Sequence, residues 1–552
     1  MKLLFLMDSP EYLRFYDSAV EELAARGHAV AVAVNNDSVK KPVGLSGLQA
    51  ASAGRVSVLG VVPRHAGRWG AIAYGLRGTM DFVRYLHPRL AAAPALRARM
   101  KRKVCPRAYH WLDVIRRLPP PAVRTLLGAL MAADRAIPVS ADMTAFLRAH
   151  APDVLLVSPL VDAASEQVDW IKAAQVLGIR TAACIASWDN LTNKGLLRIE
   201  PDLVVVWNEA QKREAHEFHY IPSAKVAVTG AQLFDKWFVT RPARDRDAFC
   251  ARVGLPDARP FVLFTGSSSF ISESNAEVAF VKRWIAALRQ SGDPALAEVN
   301  VLVRPHPYNF HAWAHEPLAG EPGVAVFPRS GYNPIDPENR ADFFDSLHHC
   351  AAVVGINTSA MIEAAIVGRP VCSILADEFA GTQEGTVHFH YLLPENGGCV
   401  RIASTLDEHV AHLRDRLRDP ETTRAEVRTF VSHFIRPHGL DRPATPIFAD
   451  AIERLAQQPA PAPRPAPWWG PLVRPLILAA AAPVPVVDWM RRPDRFAPVR
   501  KRAQKTGYRA RKSMARAAAV TSSRLKRSAR IWAKRWQKTV VKPLRARMNE
   551  RP

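Results

Sequence analysis

Cysteine is scarce in this chain: six residues in 552, none of them in a C-x-x-C pair. Cys105, Cys184, Cys250, Cys350, Cys372 and Cys399 are scattered, and several fall inside apolar, strand-like runs. That spacing supplies neither a disulfide frame nor a zinc ribbon and points to a reducing compartment. Long apolar runs are equally scarce. The opening M-K-L-L-F-L-M-D holds too few apolar residues before Asp8 for a signal-peptide core or a membrane span, so a cytoplasmic protein is expected. Trp468–Met490 is apolar but broken by Pro471, Arg474, Pro475, Pro483 and Pro485, which argues against a straight transmembrane helix. Several catalytic signatures are missing too. There is no G-x-S-x-G elbow, no G-x-G-x-x-G after a strand, and no G-K-[S/T] loop. His348-His349 and His388-x-His390 have no partners at ligand spacing, and Asp245-x-Asp247 lies in a charged connection, so no metal site is expected.

What is present in excess is positive charge, +24 in all, and it is unevenly placed. Pro459–Pro552 holds 24 Lys/Arg against Asp488, Asp494 and Glu550, and Arg84–Arg117 holds ten against Asp113. The remainder is mildly acidic. A body of ordinary enzyme composition thus carries two basic attachments suited to an anionic partner. Residues 459–467 alternate Pro and Ala as a stiff linker, and Arg500–Arg547 contains no acidic residue but includes Trp532 and Trp536. A basic segment with aromatic anchors suits an anionic membrane surface, expected over residues 468–548, as a helix or a partly disordered tail. A nucleic-acid-binding tail is the competing reading and is disfavoured by the Trp-bracketed apolar stretch beside it.

The body reads as α/β. Lys2–Met7, Ala29–Val34 and Val56–Val62 are strands separated by helical pattern or turns, the rhythm of a doubly wound domain whose ligand crevice lies beyond the C-terminal strand ends. Asp8 sits at such an end, where a catalytic base or acceptor contact could lie, although a turn Asp is more often a plain cap. Residues 64–148 interrupt the rhythm with a basic helical insertion, read as an acceptor- or membrane-facing surface or as solvated helices. The strand Arg180–Ala186 then delivers S-W-D-N-L-T-N-K-G, Ser187 to Gly195. Trp188 suits stacking on a sugar ring, and Ser187, Asp189, Asn190 and Lys194 suit its hydroxyls or a phosphate; the same residues fit a turn held by Asx hydrogen bonds.

A second α/β series begins at Phe261. Its strands run into three polar turns: Gly266, Ser267 and Ser268; Arg304-Pro305-His306-Pro307; and Asn357, Thr358 and Ser359 with Glu363 one helical turn on. Small residues let backbone N–H groups approach a phosphate, Arg304 suits chelating it, His306 suits a leaving-group oxygen, and hydroxyls at a helix N-terminus suit an anion. Read alone, the last turn is equally an ordinary capped helix; three such turns on one sheet edge favour a nucleotide-sugar site. Thr382, Gln383, Thr386 and His388 lie on a following segment placed to close over a ligand. The organisation expected is 1–240, with insertion 64–148; 241–457, including a last helix that crosses back; and 458–552.

The pairing of R-P-H-P with G-I-N-T-S-A-M-I-E-A-A-I-V-G-R-P-V resembles GT-B glycosyltransferases, and within them the bacterial capsule and wall-polymer group that includes CDP-glycerol glycerophosphotransferases. S-W-D-N-L-T-N-K-G looks like a run from members of that group. The resemblance covers residues 1 to about 457. It implies two facing Rossmann-like domains, with the donor in the C-terminal one and a glycan or lipid-linked acceptor in the N-terminal one. It implies Arg304, His306, Thr358 and Ser359 on the donor diphosphate and Glu363 on ribose or sugar hydroxyls. The donor is a substrate, and no cofactor is implied. Where the glycerophosphotransferases tend to carry an acidic residue and a serine pair, this chain has Asn357 and Thr358-Ser359, which favours a sugar over glycerol phosphate as the transferred group. A UDP-sugar 2-epimerase shares the architecture and is the alternative enzyme. Asp8, Asp189 and His306 are the candidate catalytic residues.

Overall fold

All strands of the two sheets run parallel, so every connection must cross a face and return to the same edge. The computed structural model describes residues 1–36, 49, 52–117, 119–256, 259–315, 318–329 and 336–485. The first sheet comprises β1 (Lys2–Met7), β2 (Ala29–Val34), β3 (Val56–Val61), β4 (Val154–Ser158), β5 (Arg180–Cys184), β6 (Leu203–Val206) and β7 (Val226–Val228), in the order β3-β2-β1-β4-β5-β6-β7. Phe5 pairs with Val32 on one side and Leu156 on the other. The second comprises β8 (Phe261–Thr265), β9 (Asn300–Arg304), β10 (Val324–Val326), β11 (Ala352–Gly355), β12 (Val371–Ile374) and β13 (Val400–Ala403), in the order β10-β9-β8-β11-β12-β13. The α/β fold with two Rossmann-like sheets is therefore as the sequence led us to expect.

Both sheets reverse their strand order at one place, between β1 and β4 in the first and between β8 and β11 in the second. In doubly wound sheets a crevice opens at that reversal, outside the carboxyl ends of the strands. Asp8 follows β1, and the loop from Pro159 follows β4. Gly266 follows β8, and Asn357–Ser359 follow β11. The chemistry-bearing turns thus flank both switch points.

The insertion folds as helices Gly67–Arg84, Pro94–Lys103 and Pro120–Ala136, with a 3-10 helix at Arg107–Arg117. Arg77 of its first helix is buried against Asp134 of the insertion's third helix (2.9 Å) and against Asp169 (2.7 Å to each carboxylate oxygen), which ties the insertion to the helix Gln167–Leu177 between β4 and β5. Near the end of the body, Val427, Phe430, Val431 and Phe434 pack into the second sheet's core. The next helix, Ala444–Gln457, returns to the first sheet and buries Phe448, Ile452 and Leu455 against the helix Leu13–Ala25 and the strands β5 and β6. Asp235 secures that return. It accepts from Arg436 Nη2 (2.8 Å) and from the amides of Ala444 (3.0 Å) and Thr445 (2.6 Å) at the helix start.

The prolines of the C-terminal stretch do not prevent a helix: Gly470–Ala481 is helical with Pro475 inside it. Among the described residues no helix is long and apolar enough to cross a membrane. The expected basic tail beyond residue 485 lies outside the described residues.

Arg436 is buried beside Asp235, and a buried charge left unpaired is costly. Asp235→Ala is expected to lower the unfolding free energy by about 3 kcal/mol in urea titrations; a loss within experimental error would show that this joint is not needed.

Candidate active site

The second sheet's edge is built by close approach. The amide of Gly266 donates to the Arg304 carbonyl (2.8 Å), and a Cβ at Gly266 would lie 2.7 Å from the His306 nitrogen. Glycine is therefore required for the ends of β8 and β9 to meet. Gly266, Arg304, His306, Thr358, Ser359 and Glu363 then line one cavity of about 170 Å³. Arg14, from the helix Leu13–Ala25 of the first sheet's half, lines the same cavity. A larger cavity of about 540 Å³ shares Arg14, Phe343, Ser359 and Glu363 with it and extends over Trp237 and Phe344. The two are lobes of a single cleft between the halves.

Burial sets the electrostatics of this cleft. The Glu363 carboxyl is pushed up to about 7 by desolvation, against the opposing pull of Arg14 and Arg304. His306 is pushed down to about 4 by burial and by Arg14, so its ring is neutral near pH 7. Its Nδ1 accepts from the Tyr308 amide (3.1 Å), which leaves Nε2 as the protonated nitrogen. Arg304 is lowered to about 10 by burial. Its Nη1 donates to Ser346 Oγ (3.1 Å), and its guanidinium lies over Phe343, 5.0 Å from the ring centroid. Arg304 thus braces the helix Pro337–His349 as well as lining the cleft.

Several residues expected on the donor side also make hydrogen bonds within the protein. The Ser267 amide donates to Glu277 Oε1 (2.7 Å) and its Oγ accepts from the Asn357 amide (3.4 Å). The Ser268 carbonyl accepts from the amides of Ile271 and Ser272, closing the turn. Asn357 Nδ2 donates to the Thr382 carbonyl (2.8 Å). The segment expected to close over a ligand is fixed: Gln383 Nε2 donates to the carbonyls of Ile356 (3.0 Å) and Ile374 (2.9 Å), and Thr382 Oγ1 to that of Ile271 (2.7 Å). Bonds of this kind hold the loops together, although Gln383 Oε1 is buried without a hydrogen-bond partner among the described residues.

The first sheet's edge carries a second polar cluster. Lys194 Nζ donates to Asp162 Oδ1 (2.6 Å) and to Tyr12 Oη (3.0 Å). Asp8 is raised from its ordinary value by burial and by the neighbouring Asp162 charge, with Lys194 opposing. Asp162 is presented by a loop in which Leu160 (φ 60°) and Ala164 (φ 56°) are left-handed. Gln167 accepts from the Leu160 amide (2.8 Å) and Asp81 from that of Ala164 (2.6 Å), which holds the conformation.

Asp189 and Asn190 turn inward. Asp189 accepts from Ser187 Oγ (2.7 Å) and Asn193 Nδ2 (3.0 Å), and Asn190 Oδ1 accepts from the amides of Ala186 and Ser187. Burial opposes the Asp189 charge, but His388, Lys194 and those donors outweigh it and hold its carboxyl below the usual range. This is the Asx-turn arrangement. Trp188 is buried, with its ring edge-on to His388 (centroids 4.8 Å apart), and shows only a margin to the larger cavity, as does Ser187. Sequence reasoning missed Arg14, Tyr12 and Asp162. The available signal was position: all three lie within one turn or loop of a strand end at the switch point.

No protein-family model matches the chain, and no curated protein sequence matches it. Among solved structures it is similar to UDP-GlcNAc 2-epimerase from Neisseria meningitidis bound to UDP-GlcNAc, at 11% identity over 82% of this chain and 100% of that one, TM-score 0.45. It is similar also to the UDP-GlcNAc 2-epimerase from Methanocaldococcus jannaschii, with the same identity, coverage and TM-score. WaaG, a glycosyltransferase involved in lipopolysaccharide biosynthesis, is similar at 13% identity over 83% and 100%, TM-score 0.42. These likenesses carry no assignment of ligand or reaction.

A carboxyl whose folded pKa lies above its unfolded value adds stability below the unfolded value and loses it as pH rises through the folded one. For Glu363 that window runs from about 4.5 to about 7. Glu363→Gln is therefore expected to be more stable than wild type at pH 8, by up to about 3 kcal/mol, with the gap narrowing below pH 5 in paired urea titrations. A gap independent of pH would refute the raised carboxyl.

Proposed function

We propose that the protein is a glycosyltransferase that moves a sugar from a nucleotide-sugar donor to a glycan or lipid-linked acceptor, in bacterial surface polysaccharide synthesis, at an anionic membrane surface on the cytoplasmic side. The observation that carries the donor reading is the convergence in one cleft of Arg14, the neutral donor His306, the hydroxyls of Thr358 and Ser359, and the Glu363 carboxyl. Arg14 has no carboxylate within ion-pair distance among the described residues, and its buried Nε has no hydrogen-bond partner. An unpaired cation beside free hydroxyls suits a diphosphate. A carboxyl that is partly protonated near pH 7 suits ribose or sugar hydroxyls, which donate and accept. Trp237, Phe343 and Phe344 supply the apolar wall that a base ring requires.

In this reading Asp8 takes the proton of the acceptor hydroxyl, because its carboxyl is raised and lies at the switch point of the opposing sheet. The acceptor oxygen bonds to the sugar's anomeric carbon as that carbon's bond to the donor phosphate oxygen breaks. The negative charge left on the nucleoside diphosphate is met by Arg14, Ser359 and the His306 Nε2–H. Lys194, held on Asp162 and Tyr12, places a positive charge beside Asp8 and the acceptor. Asp189 keeps the turn that presents Lys194. A UDP-sugar 2-epimerase would use the same donor cleft, and it would turn over without an acceptor.

Arg14→Ala and Ser359→Ala are each expected to weaken binding of the preferred nucleotide among UDP, CDP and GDP by about tenfold or more in calorimetric titrations, with urea midpoints unchanged. Affinities equal to wild type in both variants would overturn the donor assignment. Isomerisation of the sugar nucleotide in the absence of acceptor would replace transferase with epimerase.

A further inference from the structure

The helix Gly470–Ala481 lies along the insertion helix Pro120–Ala136. Gly470 packs against Ala136, where an added Cβ would make ordinary van der Waals contact at 3.6 Å from the Ala136 Cα. Arg474 Nε donates to the Ala136 carbonyl (2.9 Å), and Ile477 is buried beneath the helix. At the other end Tyr109 Oη, from the 3-10 helix Arg107–Arg117, donates to the Ala480 carbonyl (2.5 Å). Two segments far apart in sequence are thereby joined into one surface.

The outward side of this surface is apolar. Leu472 and Leu476, one helical turn apart, are 70% and 69% exposed, and Trp468 just before the helix is 84% exposed. On the adjoining 3-10 helix Trp111 is 64% and Val114 52% exposed. Soluble proteins scatter such residues singly; clustering on neighbouring elements marks a contact surface. Exposed Arg102, Arg116, Arg117, Arg124 and Arg135 lie on the same insertion, whose Asp134 is buried with Arg77, whose Asp113 pairs with Lys101 (3.0 Å), and whose exposed acid is Asp142. The helix itself has no acidic residue.

Charge decides what covers this surface. Residues 486–552 of the chain contain 22 Lys/Arg and three acidic residues, so they would bring like charge onto a basic face. A second copy would do the same. An anionic bilayer complements both the apolar side chains and the exposed arginines of the insertion. The helix has 12 residues, about 18 Å of length against roughly 30 Å of hydrocarbon, so it would lie in the interface and not span it.

We infer that the outward face of Gly470–Ala481, together with Trp111 and Val114 of the insertion, is a folded docking surface for an anionic lipid bilayer. This deepens the membrane part of the proposed function and is separable from its nucleotide chemistry, because none of these residues lines the cleft. It makes the insertion part of the membrane contact and does not leave that contact to the terminal basic segment alone.

The test is sedimentation of the full chain with phosphatidylglycerol/phosphatidylcholine vesicles, with phosphatidylcholine vesicles as the uncharged control. Wild type is expected to bind the anionic vesicles. Leu472→Glu/Leu476→Glu and, separately, Trp111→Ser/Val114→Ser are expected to bind them at least about tenfold more weakly, with unchanged urea midpoints and unchanged nucleotide titration. Wild-type affinity in both double variants would overturn the inference and leave the contact to residues 486–552. So would absence of vesicle binding by wild type, or binding of single-stranded RNA that exceeds vesicle binding. Should the leucine variant fail to fold, the Trp111/Val114 variant decides alone. Loss of nucleotide binding with vesicle binding intact would instead count against the donor cleft only.

Discussion

Parallel pairing is the constraint on which the rest of this molecule depends. A parallel sheet is buried on both faces, so it leaves its edges as the places where polar side chains can meet a ligand. Among the described residues, thirteen parallel strands in two sheets give two such edges. Each edge splits at its own switch point. The chain that links the halves, with Trp207, Phe234 and Trp188 in a core shared with β8 and β11, brings the two edges face to face. Nothing about Asp8 or Ser359 is distinctive in isolation. Their meaning comes from where the topology puts them.

Once the edges face each other, desolvation sets their chemistry. Glu363 is pushed up and His306 down by the same withdrawal of water, and Arg14 moderates one and reinforces the other. The result near pH 7 is two arginines, Arg14 and Arg304, with a neutral imidazole and a carboxyl near its midpoint in a single cleft. That set favours an anionic ligand carrying hydroxyls over either a bare cation or an apolar molecule.

Much of this was legible in the sequence. Strands buried on both faces read as apolar runs closed by Gly, Ser or Asx, so β1, β4, β5, β8, β9 and β11 were visible, and the three polar turns could be set on one edge. Which polar residues face a ligand was not legible. Ser267, Asn357, Asn190 and Gln383 have the composition of a binding loop, yet they hydrogen-bond within their own turn or to adjoining elements of the protein, and a sequence does not record which way a side chain turns. Arg14 was missed for the opposite reason: one arginine on an amphipathic helix reads as a solvated face until another domain closes over it.

The insertion shows the same inversion on a larger scale. On its first helix Arg77, Asp81, Arg84 and Tyr85 recur at helical spacing, a stripe that reads as solvent-facing, yet all four are buried. Asp81 accepts from the Ala164 and Leu196 amides and pairs with Arg198; Arg84 donates to the carbonyls of Leu191, Lys194 and Gly195; Tyr85 donates to that of Thr192. Irregular loops at a sheet edge have unpaired backbone groups, and an apolar helix cannot cover them without stranding those groups. A charged stripe can, since one arginine offers five donors and one carboxylate several acceptor sites. The helix therefore buries its polar face because of what it covers, and the geometry of Asp162 and Lys194 follows from it. The outer helices of the same insertion carry Trp111 and the support for Gly470–Ala481. A single inserted unit thus fixes the loops of Asp162 and Lys194 on its inner face and presents apolar side chains on its outer one.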